Sequence, residues 1–558
     1  ARPLANVTAD VWALGNYAYT GTSAAQCGGD PESGVWVWDV RNNNRAEFAG
    51  IIPSPTGSFA GDVAVATMNS GDILVHTNAA CTDGPGGLEV YDISDPTAPT
   101  YLSSIRIDEL NAISNALYGG TLTDLRTNGV FLFTQGEMDY VATVALGNFD
   151  TFRIYDITDP TAPTLVSGWG AEEIFDPGVG EEAVDTTRVL NASLWLIEGF
   201  GRTRNRFLND ITVSPDGNRA YLANWDAGLV LLDISDPANP QLISQALDPA
   251  SGDGEVNSAA VWPSADGTIV VEGEEDFSAF DTIFSITSGP AAGDYPSQEG
   301  TITIPIGSLP DQTMAGPTVY VGLACDGGTI PSAPSGDAIA LILRGVCLFT
   351  DKINNAQTAG YAGIVMMNDE ARGDGLVSMG GDPANLPGVF VGHSTGLAVA
   401  AKPNEASLVI GDAGEDVSAS RDADAWGGLR IWDYTDPANP VLASTFNTLC
   451  GGEPGDASCD PASSSTVLGV VVDGTRAYVA WSEEGIVAVD VSDPYGPVEF
   501  ARFADDSQAF IDANGGNPHD FQGVYKTPGQ PWIYASDGNG GLYVLKEYGA
   551  GSKKKGKN

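Results

Sequence analysis

Short segments with alternating apolar and polar positions recur along the whole chain, and each ends in the same polar corner. The clearest is residues 87–99, Gly-Leu-Glu-Val-Tyr-Asp-Ile-Ser-Asp-Pro-Thr-Ala-Pro. Copies end at Pro99, Pro163, Pro240, Pro440 and Pro494, and degenerate copies begin at Gly34 and Gly541. Period-two alternation predicts a strand, and the Asp-Pro step with its following proline predicts a rigid, non-helical corner.

Each corner is preceded by two further apolar strands. Around Asp210, Asp-Gly and Asp-Ala-Gly turns separate three such strands, and a fourth begins after Pro240. Four strands per unit, repeated in a ring, are typical of a β-propeller. The sequence therefore predicts a mainly β fold with seven blades, in which the N-terminal segment before Thr8 supplies the fourth strand that blade 7 lacks.

One interval between repeats is too long for a single blade. Asp233 and Asp433 end third strands and are 200 residues apart. The excess of roughly 130 residues is the size of a small domain. We expect it to leave blade 5 before that blade's third strand and to return there. The predicted domains are propeller 1–287, an inserted α/β domain 288–415, propeller 416–548 and a basic tail 549–558.

The insertion contains a motif of its own. An apolar strand leads into Arg344-Gly-Val-Cys-Leu-Phe, and a helical segment follows with Lys352, Asn355, Ala356 and Gly360. This pattern resembles the protease-associated (PA) domain, except that Tyr361 stands where that family usually has alanine. The resemblance implies a non-catalytic domain that covers an active site, binds peptides or sorting signals, or mediates assembly.

The repeated corners resemble those of LVIVD-repeat propellers, which are found in bacterial secreted and cell-surface proteins. The resemblance covers most of the chain outside the insertion. It implies a secreted or cell-surface, bacterial propeller, and it does not imply a reaction.

Charge limits the partners of the chain, and its cysteines indicate its compartment. The chain has 25 Lys plus Arg against 73 Asp plus Glu, a net charge of −48, which disfavours nucleic acid and favours cations, basic partners or simple solubility in salty water. Six cysteines without a Cys-x-x-Cys pair predict disulfides and an oxidising, extracytoplasmic location. The expected pairs are Cys27–Cys81, Cys325–Cys347 and Cys450–Cys459. No apolar run is long enough to predict a transmembrane segment.

A set of aspartates opens the innermost strands, where propeller blades line a central channel. Its members are Asp10, Asp62, Asp124, Asp210 and Asp520. Carboxylates gathered at one channel mouth would suit a hard cation such as Ca²⁺. The alternative is that each aspartate caps backbone N–H groups of the neighbouring blade.

A second acidic cluster lies where the chain leaves for the insertion. It comprises Glu272, Glu274, Glu275 and Asp276. It is a candidate Ca²⁺ site that would fix the angle between the two domains, although the spacing is not that of an EF-hand. A solvated acidic loop is the alternative.

Residues 392–396 match Gly-x-Ser-x-Gly between an expected strand and an expected helix. The surrounding region is too small for a hydrolase fold, so we assign no catalytic residue. The predicted function is a non-enzymatic binding or scaffold protein that recognises a protein, an extracellular matrix or surface component, or copies of itself. The alternative is a secreted metal-dependent hydrolase that uses the acidic channel mouth, with the PA domain as its lid.

Overall fold

The structure is a computed structural model. It describes residues 8–22, 33–42, 45–80, 85–106, 127–145, 152–170, 208–225, 227–247, 257–276, 280–377, 379–423, 427–452, 465–504, 508–513 and 518–547. Several predicted features lie outside these residues: the closing strand before Thr8, Asp124, Cys27, Cys81, Cys459 and the basic tail.

Antiparallel sheets form seven blades, and the innermost strand of each blade is its first strand, except in blade 2, where the short β5 precedes it. Blade 1 contains β1 (Thr8–Leu14), β2 (Tyr17–Thr22), β3 (Gly34–Asp39) and β4 (Glu47–Pro53). Blade 2 contains β5 (Ser58–Phe59), β6 (Val63–Met68), β7 (Gly71–Ala80), β8 (Gly87–Asp92) and β9 (Thr100–Ile105). Blade 3 contains β10 (Thr127–Gln135), β11 (Met138–Ala145), β12 (Phe152–Asp156) and β13 (Thr164–Trp169). Blade 4 contains β14 (Asp210–Val213), β15 (Arg219–Asn224), β16 (Gly228–Asp233) and β17 (Gln241–Ala246).

The remaining blades follow the same order, with one interruption. Blade 5 contains β18 (Ser258–Pro263), β19 (Ile269–Glu274), β28 (Leu429–Asp433) and β29 (Val441–Phe446). Blade 6 contains β30 (Gly469–Asp473), β31 (Arg476–Trp481), β32 (Gly485–Asp490) and β33 (Val498–Phe503). Blade 7 contains β34 (Phe521–Lys526), β35 (Trp532–Asp537) and β36 (Gly541–Lys546). The two short helices α3 (Leu449–Gly452) and α4 (Gln508–Ala513) lie between blades.

The ring closes through packing between neighbouring blades. Innermost strands contact one another in the order β1, β6, β10, β14, β18, β30, β34 and back to β1. Blade strands are buried on both faces: in β15, Leu222 packs towards blade 3 and Tyr221 towards blade 5. Val11 and Trp38 of blade 1 share a core with Tyr534 of blade 7. The predicted seven-bladed propeller is therefore confirmed.

The repeated corner connects neighbouring blades through hydrogen bonds. In blade 2, Asp92 and Asp95 each accept a hydrogen bond from the backbone N–H two residues further on, which fixes the turn. The proline carbonyl of a corner then accepts from a serine hydroxyl on the outermost strand of the preceding blade. These bonds join Ser103 to Pro160, Ser167 to Pro237 and Ser444 to Pro494, each at 2.6 Å.

We expect Ser167→Ala to lower the free energy of unfolding by about 1 kcal/mol, because the Pro237 carbonyl loses its partner. Urea unfolding measures the change. Thr100→Ala, on the exposed edge of an outermost strand, is the matched control and should change stability by less than about 0.5 kcal/mol. Equal effects of the two substitutions would mean that the serine does not join the blades.

The interruption of blade 5 carries a separate eight-stranded sheet, whose strands are ordered β21, β20, β27, β23, β24, β25, β26, β22. Its strands are β20 (Phe280–Ile286), β21 (Gly293–Tyr295), β22 (Ser297–Glu299), β23 (Thr313–Tyr320), β24 (Ile339–Leu343), β25 (Gly363–Met367), β26 (Gly388–Val391) and β27 (Ala413–Ala423). Helices α1 (Phe349–Thr358) and α2 (His393–Val399) pack on it, and 3₁₀ turns occupy Ile306–Ser308, Pro310–Gln312, Gly327–Thr329 and Glu405–Ser407.

Strands β23 to β26 run parallel, as expected for an α/β unit, while β20 and β27 pair antiparallel as they leave and re-enter the propeller. The proposed domain boundaries stay a prediction: the one at 288 falls just after β20, and the one at 415 falls inside β27. The Cys325–Cys347 disulfide is confirmed, and Cys450 is also disulfide-bonded. None of the helices within the described ranges has the length and apolar character of a membrane-spanning segment.

Candidate functional site

Three of the five predicted aspartates lie at or just before the start of an innermost strand and share one hydrogen-bonding pattern. Each accepts one hydrogen bond from the next backbone N–H of its own strand and one from the neighbouring blade. Asp62 binds Val63 N at 2.7 Å and Val130 N at 2.8 Å. Asp210 binds Ile211 N at 2.7 Å and Val261 N at 3.0 Å.

Asp10 follows the same rule, with bonds from Val11 and Val63. These contacts are the capping arrangement that sequence analysis offered as the alternative to cation binding.

Burial governs the ionisation of these three groups. It raises the pKa of Asp10 to about 6 and that of Asp210 to about 7. Burial and the neighbouring Asp10 carboxyl raise the pKa of Asp62 well above its ordinary value. The Asp10 and Asp62 carboxyls also contact each other, so the ionisation of one depends on that of the other.

Asp520 does not join this set. Trp12 and Tyr525 stack on each other, so they occupy equivalent positions in the innermost strands of blades 1 and 7. The residues two positions earlier are Asp10 and Gly523, so Gly523 is the blade 7 counterpart of Asp10. A Cβ at Gly523 would approach Asp10 Oδ1 to 2.8 Å, which explains the glycine. Asp520 instead accepts from the Gln522 side chain at 2.6 Å, and burial raises its pKa.

Aromatic rings close the channel next to the aspartates. The Trp12 ring contacts Phe131 of blade 3, Trp262 of blade 5 and Tyr525 of blade 7, with centroid distances of 5.8, 6.2 and 4.5 Å. Blades 3 and 5 are not neighbours of blade 1, so these rings meet on the propeller axis. We call these four residues the aromatic plug. Nothing in the sequence pattern predicted this cluster on the axis.

The second acidic cluster is held by protein donors. Glu272 is fully buried and its Oε2 accepts from the indole nitrogen of Trp432 at 2.6 Å. Glu274 pairs with Arg430 at 2.7 Å, and burial raises its pKa to about 7. Burial likewise raises the pKa of Glu275 to about 7.

The backbone N–H of Asp276 donates to Thr466 at 2.7 Å, which anchors the end of the segment. The solvated-loop interpretation is therefore wrong for Glu272. Among the described residues, no three acidic, histidine or cysteine side chains converge as a metal site would require. Ca²⁺ binding stays a prediction.

The Gly-x-Ser-x-Gly segment lies between β26 and α2, as expected. The Ser394 hydroxyl donates to Asp374 at 2.7 Å, and Asp374 also accepts the Ser394 backbone N–H at 2.6 Å. The neighbouring His393 faces Glu405 at 3.4 Å. By accepting the Ser394 N–H, Asp374 caps the start of α2. The Ser394 hydroxyl is hydrogen-bonded to a carboxylate and not to an imidazole, so it lacks the partner that activates a serine nucleophile.

The motif of the inserted domain organises one loop. Arg344 donates to Asn368 at 3.2 Å and lies over the Phe390 ring. Asn355 of α1 donates to the Ala324 carbonyl at 2.9 Å. Lys352 is buried beneath the same loop. These polar residues point inward and fix the backbone around the Cys325–Cys347 disulfide.

Apolar side chains point outward from the same place. Val346 is 88% exposed, Leu348 71%, Val409 58% and Ile410 52%. The first pair follows β24 and the second lies beside the end of β23, since Gly411 N donates to the Tyr320 carbonyl. Because β23 and β24 are adjacent and parallel, both pairs lie at one end of the sheet. We call these four residues the apolar tip.

The apolar tip was not predicted from the sequence, although the Arg-Gly-x-Cys motif located its loop. Val346 has φ of 72°, a left-handed conformation that a β-branched residue rarely adopts. Such strain is found where a loop is held for function. An apolar residue between glycine and cysteine, outside any alternating strand, was the available signal.

Comparison with known proteins agrees with the architecture. Residues 314–399 match the PA domain, and residues 7–25, 69–106, 209–248, 422–448 and 466–505 match the LVIVD repeat.

Among curated relatives, the E3 ubiquitin-protein ligase Godzilla of Drosophila melanogaster is 35% identical over 21% of this chain and 23% of its own length. An aminopeptidase of Pseudomonas aeruginosa is 28% identical over 35% of each. The chain thus spans a quarter to a third of these relatives. A zinc aminopeptidase from Bacillus subtilis, BSAP, aligns with 17% identity over 29% of this chain and 36% of that chain, with a TM-score of 0.20.

Proposed function

We propose that this chain, a seven-bladed β-propeller with LVIVD repeats and a PA domain, is an extracellular, non-catalytic scaffold that binds a protein partner through the apolar tip. Propellers and PA domains generally mediate protein interactions. The supporting observation is the exposure of four apolar side chains at one end of a rigid sheet. A disulfide in the same loop suits an oxidising compartment.

The chemistry of the partner follows from the surface. Val346 and Leu348 would enter an apolar depression, because burial of their side chains away from water would stabilise the complex. A chain with net charge −48 repels acidic proteins and attracts basic ones. We therefore propose a basic protein with an apolar pocket as the partner, in preference to a second copy of this acidic chain.

Replacing two anchors should weaken binding strongly. We expect the double variant Leu348→Ser and Ile410→Ser to bind the partner at least about tenfold more weakly, because buried leucine-sized side chains contribute about 1.5–3 kcal/mol each. Surface plasmon resonance with the partner purified from the extracellular fraction measures this. The matched control replaces Leu165 and Leu242, exposed on outermost propeller strands, with serine. Equal affinity of all three proteins would refute docking at the tip.

The similarity to an aminopeptidase supports a second candidate, a secreted metal-dependent hydrolase with the PA domain as a lid. A panel of peptidase, esterase and glycosidase substrates separates the two. The scaffold predicts no turnover with added Ca²⁺ or Zn²⁺. Turnover that a chelator abolishes would favour the hydrolase, and loss of that turnover in Ser394→Ala would instead favour an esterase.

A further inference from the structure

The Cys325–Cys347 disulfide lies against a buried lysine. The Nζ of Lys352 is 3.8 Å from Cys325 Sγ, donates to the Leu343 carbonyl at 3.0 Å and also donates to the Leu323 carbonyl. We propose that this disulfide is a redox-reactive site, in which an external thiol attacks Cys347 and Lys352 stabilises Cys325 as the departing thiolate.

Lys352 lacks a counter-charge. Its side chain is fully buried on α1, and within the described residues it forms no ion pair with a carboxylate. Burial alone lowers its pKa to about 8. An ammonium group kept out of water without an opposite charge is costly. A thiolate on Cys325 would provide that charge, so reduction would remove an unfavourable feature of the oxidised site.

The two sulfurs differ in their surroundings. Cys325 and Cys347 are both partly exposed, so an external thiol can reach the disulfide from solvent. Cys325 faces the Lys352 amine. A cation beside a sulfur lowers the pKa of its thiol, and a thiol of lower pKa is the better leaving group. Attack at Cys347 with departure of Cys325 is therefore the favoured direction.

The reaction balances with two external thiols. The first thiolate forms a mixed disulfide with Cys347, and the Cys325–Cys347 bond breaks with its electron pair on Cys325. The second thiolate attacks the external sulfur of the mixed disulfide and releases Cys347 as a thiolate, which takes a proton from water. The protein disulfide gains two electrons, and the two external thiols are oxidised to one disulfide.

Reduction would change the apolar tip. The disulfide holds Cys347 against the loop after β23, and Val346 beside it has the left-handed backbone conformation. Once the bond is open, Val346 is free to return to an ordinary conformation, and the Val346 to Leu348 segment changes shape. Exposure to thiols would thus act on the surface proposed for partner docking, although the redox chemistry itself does not depend on that proposal.

The test uses the intact protein, dithiothreitol under native conditions, an iodoacetamide pulse and mass spectrometry of each cysteine. In the wild type, we expect Cys325 and Cys347 to be reduced before the disulfide of Cys450, and the alkylation of Cys325 to titrate below the ordinary thiol pKa of about 8.5. Lys352→Met should slow the reduction at least about tenfold and raise the thiol pKa of Cys325.

Asn355→Ala is the matched control, because Asn355 holds the same loop without a charge. It should keep the low pKa of Cys325 even if it loosens the loop. An ordinary thiol pKa for Cys325 in the wild type would overturn the proposal, and this measurement remains decisive if Lys352→Met fails to fold. Equal reduction rates in a folded Lys352→Met variant and the wild type would also overturn it.

Discussion

Trp12→Ala should lower the free energy of unfolding by about 3–5 kcal/mol, the usual loss for a large aromatic side chain removed from a packed site. The Trp12 ring is the member of the aromatic plug that contacts all three others, so its removal leaves a cavity on the axis and loosens blades 3, 5 and 7 together. Equilibrium unfolding in guanidinium chloride, followed by tryptophan fluorescence and circular dichroism, measures the loss.

Two control substitutions separate the effect of the plug from the general cost of removing an aromatic ring. Trp12→Phe keeps an aromatic ring on the axis and should cost less than half as much as alanine. Tyr101→Ala removes an aromatic ring from an exposed outermost strand and should cost less than about 1 kcal/mol. A loss for Trp12→Ala no larger than that for Tyr101→Ala would show that the plug does not hold the ring together.

The second large effect concerns pH. We expect the free energy of unfolding to fall by at least about 3 kcal/mol between pH 5 and pH 8, the contribution of a single carboxyl whose pKa is raised to about 7. The pKa values of Asp210, Glu274 and Glu275 are raised to about 7 by burial, and that of Asp10 to about 6. Between the unfolded and folded values, the native state binds more protons, so stability is lost as pH rises.

Other groups act outside most of this range or in the opposite sense. Burial lowers the pKa of His76 to about 4, so its contribution rises with pH from about 4 to 6.5 and is constant above. Corner aspartates such as Asp92, whose pKa is lowered by bonds to Ser94, lose their contribution below the ordinary range for aspartate. Neither set reverses the trend between pH 5 and pH 8.

Urea unfolding at several pH values in 1 M NaCl isolates the buried carboxyls, because salt of that strength screens the repulsion among surface charges. The same fall in stability should persist at high salt. A free energy of unfolding that is constant or rises from pH 5 to pH 8 in 1 M NaCl would contradict the claim that burial raises the pKa values of these carboxyls.

The architecture followed from the sequence because its causes are local and repeated. The residues of each Asp-Pro corner determine its turn geometry locally. The separation of 200 residues between Asp233 and Asp433 located the insertion. The Arg344 motif identified the inserted fold for the same reason, since its polar residues form a compact local support for one loop. Cysteines 22 residues apart, at Cys325 and Cys347, were paired correctly.

The site was less predictable because register and exposure depend on the closed ring. Asp520 opens an innermost strand in sequence, yet Gly523 is the residue beside Asp10 in space. Glu272 looks like part of an acidic surface loop, yet strand pairing places it beside the indole of Trp432. The apolar tip forms where two loops lie together at the end of adjacent strands. These loops are far apart in the sequence, so their proximity could not be predicted from either segment alone.

The central claim, that the apolar tip binds a protein partner, is tested most directly by photo-crosslinking. A photoreactive amino acid at Leu348 is compared with the same group at Leu165, which is also more than half exposed but lies on the propeller. Both proteins are irradiated in the extracellular fraction of the source organism. We predict one defined adduct with a basic protein from Leu348 that excess unlabelled wild type suppresses, and none from Leu165. Identical adducts from both positions, or none from Leu348, would contradict the account.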